Sequence, residues 1–250
     1  METSVTSVTF RQKSIPEVAA LARQAGLDAI EWGGDIHVPP GDERAARLAL
    51  ACTRENGLRV SAYGSYYRAG AEEDFRPVLQ TALWLGCRVI RVWAGRTGSA
   101  DCPPDERAAI AARLAAAAQL AAQAGCTVAT EYHAHTLTDT LDSTLALLDA
   151  APGLRTLWQP PVGLAPGENL RALHALAEKI ENLHVFCWTG RAERRPLAEG
   201  AAGWRTYFAA VPPRECPRYA TLEFVRDDSA AQFLEDAATL RALLKDHEEE

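Results

Sequence analysis

The regular alternation of two kinds of segment most constrains how this chain can fold. Short runs rich in β-branched and aromatic residues alternate with longer amphipathic runs rich in Ala and Leu, from one end of the chain to the other. The eight predicted strands are Val5–Phe10, Ala29–Trp32, Arg59–Tyr63, Arg88–Val92, Thr127–Glu131, Thr156–Gln159, Leu183–Phe186 and Thr221–Val225. The eight predicted helices are Pro16–Ala25, Asp42–Asn56, Glu73–Leu85, Pro104–Ala124, Thr140–Ala150, Glu168–Lys179, Gly200–Ala210 and Ser229–Leu244.

Eight βα units are the number that closes a parallel barrel, so the pattern predicts a (β/α)8 TIM barrel as a single domain over residues 1–250. Gly26, Gly57, Gly86 and Gly125 each lie between a predicted helix and the next strand, where a left-handed glycine ends a helix. An open, doubly wound sheet is the alternative, but the chain lacks the G-x-G-x-x-G turn that usually accompanies it. The closed barrel is therefore favoured.

Composition excludes several classes of function. A formal net charge of -7 disfavours a nucleic-acid partner, because the DNA backbone is itself negative. Neither a signal peptide nor an apolar run of membrane-spanning length is present, so we expect a cytoplasmic protein without a membrane partner. The three lysines, Lys13, Lys179 and Lys245, all lie outside the predicted strands, which argues against a Schiff-base aldolase. The six cysteines form no C-x-x-C pair and are interpreted as free thiols.

Polar residues lie at the carboxyl ends of four consecutive predicted strands, where barrel enzymes carry their active sites. They are Glu131, Gln159, His184 and Glu223. Two carboxylates, an imidazole and an amide oxygen that converge on one point suit a divalent cation, which would also offset the repulsion between the carboxylates. The alternative is that Glu131 pairs with an arginine of the barrel such as Arg91, leaving no metal.

The chain resembles the xylose isomerase-like barrels, a family of sugar isomerases and epimerases. The segments that carry the resemblance are Ala29-Ile30-Glu31-Trp32-Gly33-Gly34, Glu131-Tyr132-His133, Trp158-Gln159-Pro160, His184-Val185-Phe186 and Leu222-Glu223-Phe224. The resemblance implies a Mn²⁺, Mg²⁺, Co²⁺ or Zn²⁺ ion held by Glu131, Gln159, His184 and Glu223. Gln159 departs from the family, which usually has Asp there, and the lost charge predicts weaker metal binding.

The same resemblance implies a metal-dependent sugar or sugar-phosphate isomerase or epimerase. The reaction would transfer a proton through an enediolate, with Glu131 and Glu223 as the base and acid. A lyase or dehydratase on the same site is a close alternative, since it differs only in which bond breaks after proton removal. A non-catalytic barrel with a weakened metal site is another. An apurinic-site endonuclease would need more His and Asp ligands and a basic face for DNA.

Further residues are candidates for substrate binding. Glu31 could bind a sugar hydroxyl or form a structural ion pair, and His133 projects to the same side of its strand as Glu131. Trp32 and Trp93 could stack on a sugar ring, although such residues also pack in cores. Arginines around the seventh strand would suit a phosphorylated substrate; they are Arg191, Arg194, Arg195 and Arg205, with Arg91 from the fourth strand. The expected partner is a small carbohydrate, and assembly into a homo-oligomer is left open.

Overall fold

A computed structural model of the protein describes residues 1–190, 193–216 and 218–249, with side chains as far as Lys245. Eight parallel strands form a closed barrel, and they are β1 (Glu2–Thr6), β2 (Ala29–Gly33), β3 (Arg59–Gly64), β4 (Val89–Val92), β5 (Thr127–Glu131), β6 (Arg155–Trp158), β7 (Ile180–Val185) and β10 (Tyr219–Leu222). Their hydrogen-bonded order around the barrel is β1-β10-β7-β6-β5-β4-β3-β2. The single (β/α)8 barrel predicted from the sequence is thus confirmed.

Helices alternate with the strands and cover the outside of the barrel. They are α1 (Ile15–Gln24), α2 (Glu43–Glu55), α3 (Arg76–Leu85), α4 (Pro104–Gln123), α5 (Leu141–Ala150), α6 (Pro166–Leu176), α7 (Ala201–Ala209) and α8 (Ala230–Glu249). The four glycines between helix and strand have φ between +65° and +74°, the left-handed conformation expected of them. In the described part of the chain, no helix combines the length and apolarity needed to cross a membrane.

Most ends of elements lie within three residues of the predicted ones, and two differences bear on the site. The first strand ends at Thr6, and Ser7–Phe10 forms a 3-10 helix instead of continuing the strand. This turn is held from the far end of the chain, because the Phe224 N–H donates to Thr9 Oγ1 and the edge of Phe10 packs on Phe233. Beyond the seventh barrel strand, β8 (Cys187–Thr189) and β9 (Glu193–Arg195) form an antiparallel hairpin that the sequence did not predict.

Candidate active site

Three buried side chains meet at the carboxyl end of the barrel. Glu131 ends β5, His184 lies on β7, and Glu223 directly follows β10, where its N–H donates to Val185 O at 3.0 Å. One ligand atom of each of the three residues lies within 4.8 Å of the others. The parallel register produces this convergence, because strands that end at one edge bring their last inward side chains together.

Gln159 contacts the same cluster from the end of β6. Its Nε2 donates to Glu131 Oε1 at 3.2 Å, while its Oε1 is buried with no hydrogen-bond partner among the described residues. The Nδ1 atom of His184 is likewise buried without a hydrogen bond and lies 3.5 Å from Glu223 Oε2. Buried polar atoms normally have partners, so these two atoms without a hydrogen bond, beside two carboxylates, fit a divalent cation. The ligand role of the four residues stays a prediction.

Glu31 supports His184 from inside the barrel. Its Oε2 lies 3.1 Å from His184 Nε2, and its side chain is completely buried. Burial alone would lower the pKa of His184, but Glu31 and Glu223 raise it well above the ordinary value. Burial alone would raise the pKa of Glu31. The charges of His184 and Arg91 have a larger, opposite effect, so the pKa of this carboxyl is lowered. Glu31 therefore forms the structural ion pair that the sequence left as one of two interpretations.

Arg91 links the two carboxylates on its side of the barrel. Its NH1 lies 2.8 Å from Glu131 Oε2 and its Nε lies 3.8 Å from Glu31 Oε1. The pairing of Arg91 with Glu131 that the sequence suggested is thus present, and it coexists with the Glu131, His184 and Glu223 cluster. Three carboxylates and one guanidinium leave two negative charges when His184 is neutral, which a divalent ion would balance.

A cavity of about 460 Å³ opens above these groups. One of its walls, the Trp93 wall, consists of Tyr66, Trp93 and His133, with ring centroids 6.3 Å and 4.4 Å apart. The opposite wall, the Trp188 wall, consists of Phe186, Trp188 and Phe224, with ring centroids 4.5 Å and 5.8 Å apart. Aromatic faces on both sides suit a flat, ring-shaped molecule.

Arg11 adds a cation at the cavity mouth. Its NH2 donates to Tyr66 Oη at 2.8 Å, its Nε pairs with Asp35, and its side chain is 41% exposed. A partly solvated guanidinium of this kind can bind an anionic group of a ligand. The sequence reasoning missed Arg11 because it placed the first strand too far along the chain. A basic residue that follows a barrel strand within a few residues was the sequence signal that could have identified Arg11 as a residue of the cavity mouth.

Two of the predicted substrate-binding residues do not line the cavity. Trp32 is adjacent to inward-facing Glu31 and so points outward, where its Nε1 donates to Thr53 of α2 at 3.0 Å. Arg205 lies on the exposed side of α7, away from the cavity. Both assignments were wrong for geometric reasons. Trp93 and His133 do line the cavity.

The arginines proposed for phosphate binding are mostly engaged elsewhere. Arg194 pairs with Asp228, and Arg195 pairs with Glu193 and Glu199. Arg191 lies outside the described residues. The cations of the hairpin are therefore paired with carboxylates of the hairpin itself and of two neighbouring segments, and the hairpin contributes Trp188 to the cavity.

Comparisons with known proteins agree with the fold. Residues 19–243 match the family described as xylose isomerase-like TIM barrel. A 3-dehydroshikimate dehydratase of Bacillus anthracis is 30% identical over 258 residues, which cover 90% of this chain and 91% of that protein. The crystal structure of a probable 3-DHS dehydratase from Bacillus anthracis has a TM-score of 0.81 at 23% identity, covering 96% of this chain and 99% of that one. A 3-keto-D-glucoside 4-epimerase from E. coli has a TM-score of 0.72 at 17% identity, covering 98% and 99%.

Proposed function

This chain belongs to the xylose isomerase-like TIM barrel family, and from that premise we propose that it is a metal-dependent dehydratase. Its substrate would be a carboxylated cyclic hydroxy-ketone such as 3-dehydroshikimate. The observation that carries the proposal is the floor of the cavity, where Glu131 and Glu223 meet at His184 beneath two aromatic walls. The identity of 30% to a 3-dehydroshikimate dehydratase, extending over nearly the whole chain, favours this substrate type.

The metal would be held by Glu131, Gln159, His184 and Glu223. When bound, it supplies a Lewis acid that polarises the substrate carbonyl and makes the neighbouring C–H more acidic. Gln159 brings an oxygen without a charge, so the ligand set has two carboxylates rather than three.

Proton transfer is the part that the protein's own side chains perform. Arg91 holds Glu131 through an ion pair of 2.8 Å and so fixes the position of the carboxylate that removes the proton from the carbon next to the carbonyl. Glu223 has a carboxylate oxygen within 4.8 Å of one of Glu131, so it receives this proton and delivers it to the hydroxyl that leaves from the next carbon. The proton and the hydroxide thus leave together as one water, and both carboxylates return to their starting ionised form. The product is the unsaturated ketone, which in the case of 3-dehydroshikimate tautomerises to an aromatic ring.

The aromatic walls have a role in this reaction beyond packing. Loss of water flattens the ring of a cyclic hydroxy-ketone, and a flat ring makes better contact with the Trp93 and Trp188 walls than a puckered one. Arg11 at the mouth would bind the carboxylate of the substrate.

An isomerase or epimerase of a carbohydrate, as predicted from the sequence, is the second candidate. It is favoured by the presence of two carboxylates at one site, because epimerisation needs one group to remove a proton and another to return it. Both candidates share the first proton transfer and diverge in the fate of the resulting enolate.

The test is to incubate the Mn²⁺-loaded protein with 3-dehydroshikimate and to follow the ultraviolet absorbance of an aromatic product and the loss of one water by mass spectrometry. A panel of ketoses and ketose phosphates in D₂O runs in parallel. Water loss supports the dehydratase, whereas deuterium uptake into a sugar without water loss supports the epimerase. Metal-loaded protein that does neither contradicts both.

Two variants tie either activity to the cluster. Glu131→Gln and Glu223→Gln are each expected to lower kcat by at least about a hundredfold, the usual contribution of a general acid or base. Glu193→Gln, which removes an exposed carboxylate of the hairpin, is the matched control and should retain full activity. Retention of activity in both cluster variants would exclude these carboxylates as the proton-transferring pair.

A further inference from the structure

A second cavity, of about 660 Å³, lies at the amino-terminal end of the barrel strands, opposite the candidate active site. Its lining is unusually rich in arginine. Arg54 comes from the last turn of α2, Arg59 begins β3, Arg88 directly precedes β4, and Arg214 lies in the segment before β10. We call this cavity, which these four residues line, the arginine cavity.

Acidic groups do not balance these cations. Glu181 is the acidic residue that lines the cavity, and it is already bound by Arg214 at 2.6 Å and by Arg155 at 2.7 Å. Arg59 forms an ion pair with Glu2 at 2.7 Å. Arg54 and Arg88 form no ion pair among the described residues. Two guanidinium groups therefore stay uncompensated in one concave space of a chain whose net charge is -7.

A buried amide adds a donor to the same wall. Asn182 is 1% exposed and lines the arginine cavity, and its Oδ1 accepts a hydrogen bond from the Tyr219 N–H at 2.9 Å. Its Nδ2 is buried with no hydrogen-bond partner among the described residues. Unused donors and uncompensated guanidiniums together select a ligand that brings acceptor oxygens and negative charge.

We propose that the arginine cavity binds a small dianion with several oxygen acceptors, either a phosphate ester or a dicarboxylate. Guanidinium groups recognise both chemistries through paired N–H donors. The dipole of α2 favours a cation at Arg54, because this residue lies in the last turn of that helix. Arg88 lies outside a helix, so no helix dipole accounts for its charge. The site is separate from the proposed catalytic centre, so its existence does not depend on the reaction proposed above.

The test is titration calorimetry of the Mn²⁺-loaded protein with two probes, inorganic phosphate and succinate. The double variant R54Q/R88Q is expected to bind the preferred probe at least about tenfold more weakly, as the loss of charged hydrogen bonds predicts. The control R44Q/R171Q removes the same charge from exposed helix positions outside the cavity and should bind like the unmodified protein. Since Arg54 and Arg88 are exposed, both double variants should fold, which thermal unfolding checks.

Three results would overturn the proposal. One is that neither probe shows saturable binding. Another is that the probe binds equally weakly to both double variants, which would indicate nonspecific electrostatic attraction. The third is unchanged binding in R54Q/R88Q, which would place the anion elsewhere, such as on the metal. Hydrogen–deuterium exchange localises the site independently, with protection expected around residues 54–61 and 85–89. Which of the two probes binds more tightly separates a phosphate site from a carboxylate site.

Discussion

Glu31 is the residue whose position most directly controls His184. Because its carboxylate faces His184 Nε2 at 3.1 Å, Nδ1 is directed toward Glu223. Glu31→Gln keeps the size of the side chain and removes its charge. We expect Mn²⁺ affinity, measured by titration calorimetry, to fall by about 10-fold to 100-fold, as for other groups that orient a metal-binding histidine.

Glu181→Gln is the matched control for this change. Glu181 is also a buried carboxylate that binds arginine, but it lies near the start of β7, at the end of the strand away from the cluster. Its loss should leave Mn²⁺ affinity unaltered. Equal metal affinities in Glu31→Gln and the unmodified protein would show that Glu31 does not position His184.

Gln159 allows a prediction of opposite sign. Gln159→Asp adds a carboxylate beside Glu131, so we expect tighter Mn²⁺ binding and, without metal, a lower melting temperature caused by repulsion between the two carboxylates. Gln159→Asn, which is equally short but uncharged, separates the effect of charge from that of length. Thermal unfolding with and without Mn²⁺ measures both effects, and an affinity for Mn²⁺ that is unchanged or lower in Gln159→Asp would argue against Gln159 as a ligand.

Among the elements, the hairpin of β8 and β9 lies outside the eight-stranded barrel and shapes the cavity at its carboxyl end. Its Trp188 lies between Phe186 and Phe224 and forms much of one cavity wall. We expect Trp188→Ala to raise KM by about fivefold to tenfold with a smaller change in kcat, since an aromatic contact contributes about 1 kcal/mol beyond burial. Trp188→Phe should restore most of the affinity, and a kcat loss as large as the KM increase would contradict a binding role.

Local sequence patterns determine the barrel elements but not the hairpin. Each barrel strand is followed by a helix whose apolar period can be recognised within about 30 residues, and a glycine marks the end of four of these helices, so the order of elements was predictable. The hairpin strands are three residues each, β9 consists of charged residues only, and the Arg194 to Asp228 pair attaches the hairpin to a distant loop. Such a contact between remote segments leaves no periodic signal.

The candidate site was predictable to the extent that strand ends determine it. Glu131, His184 and Glu223 converge because the carboxyl ends of parallel strands share one edge of the barrel. Trp32 was misassigned because a shift of one residue along a strand reverses the direction of the side chain. Arg11 was missed because its place depends on a 3-10 turn that contacts at the far end of the chain stabilise.

At the scale of the whole molecule, the two ends of the barrel carry different kinds of buried charge. At the carboxyl end, one arginine pairs with two of the three buried carboxylates and the third faces His184, so negative charge is in excess in this cluster. At the amino end, one buried carboxylate, Glu181, forms ion pairs with both Arg155 and Arg214. In barrels of this type the carboxyl end carries the chemistry, and the excess of negative charge there suits the cation of the proposed catalytic site.

The Glu181 pairs give the last prediction, which concerns the pH dependence of folding. Burial raises the pKa of Glu181, but hydrogen bonds and charges from Arg214 and Arg155 outweigh it and lower that pKa below its usual value. A carboxyl with a lowered folded-state pKa stabilises the fold above its unfolded pKa of about 4.3, and this contribution is lost as pH falls through the lowered value. Glu181→Gln should thus reduce the unfolding free energy by about 2 kcal/mol at neutral pH, because it leaves two partly buried arginines without their acid. Urea unfolding of both proteins between neutral pH and pH of about 3 measures the difference, which should shrink as pH falls. A difference that stayed constant over this range would assign the effect of the substitution to packing instead of charge.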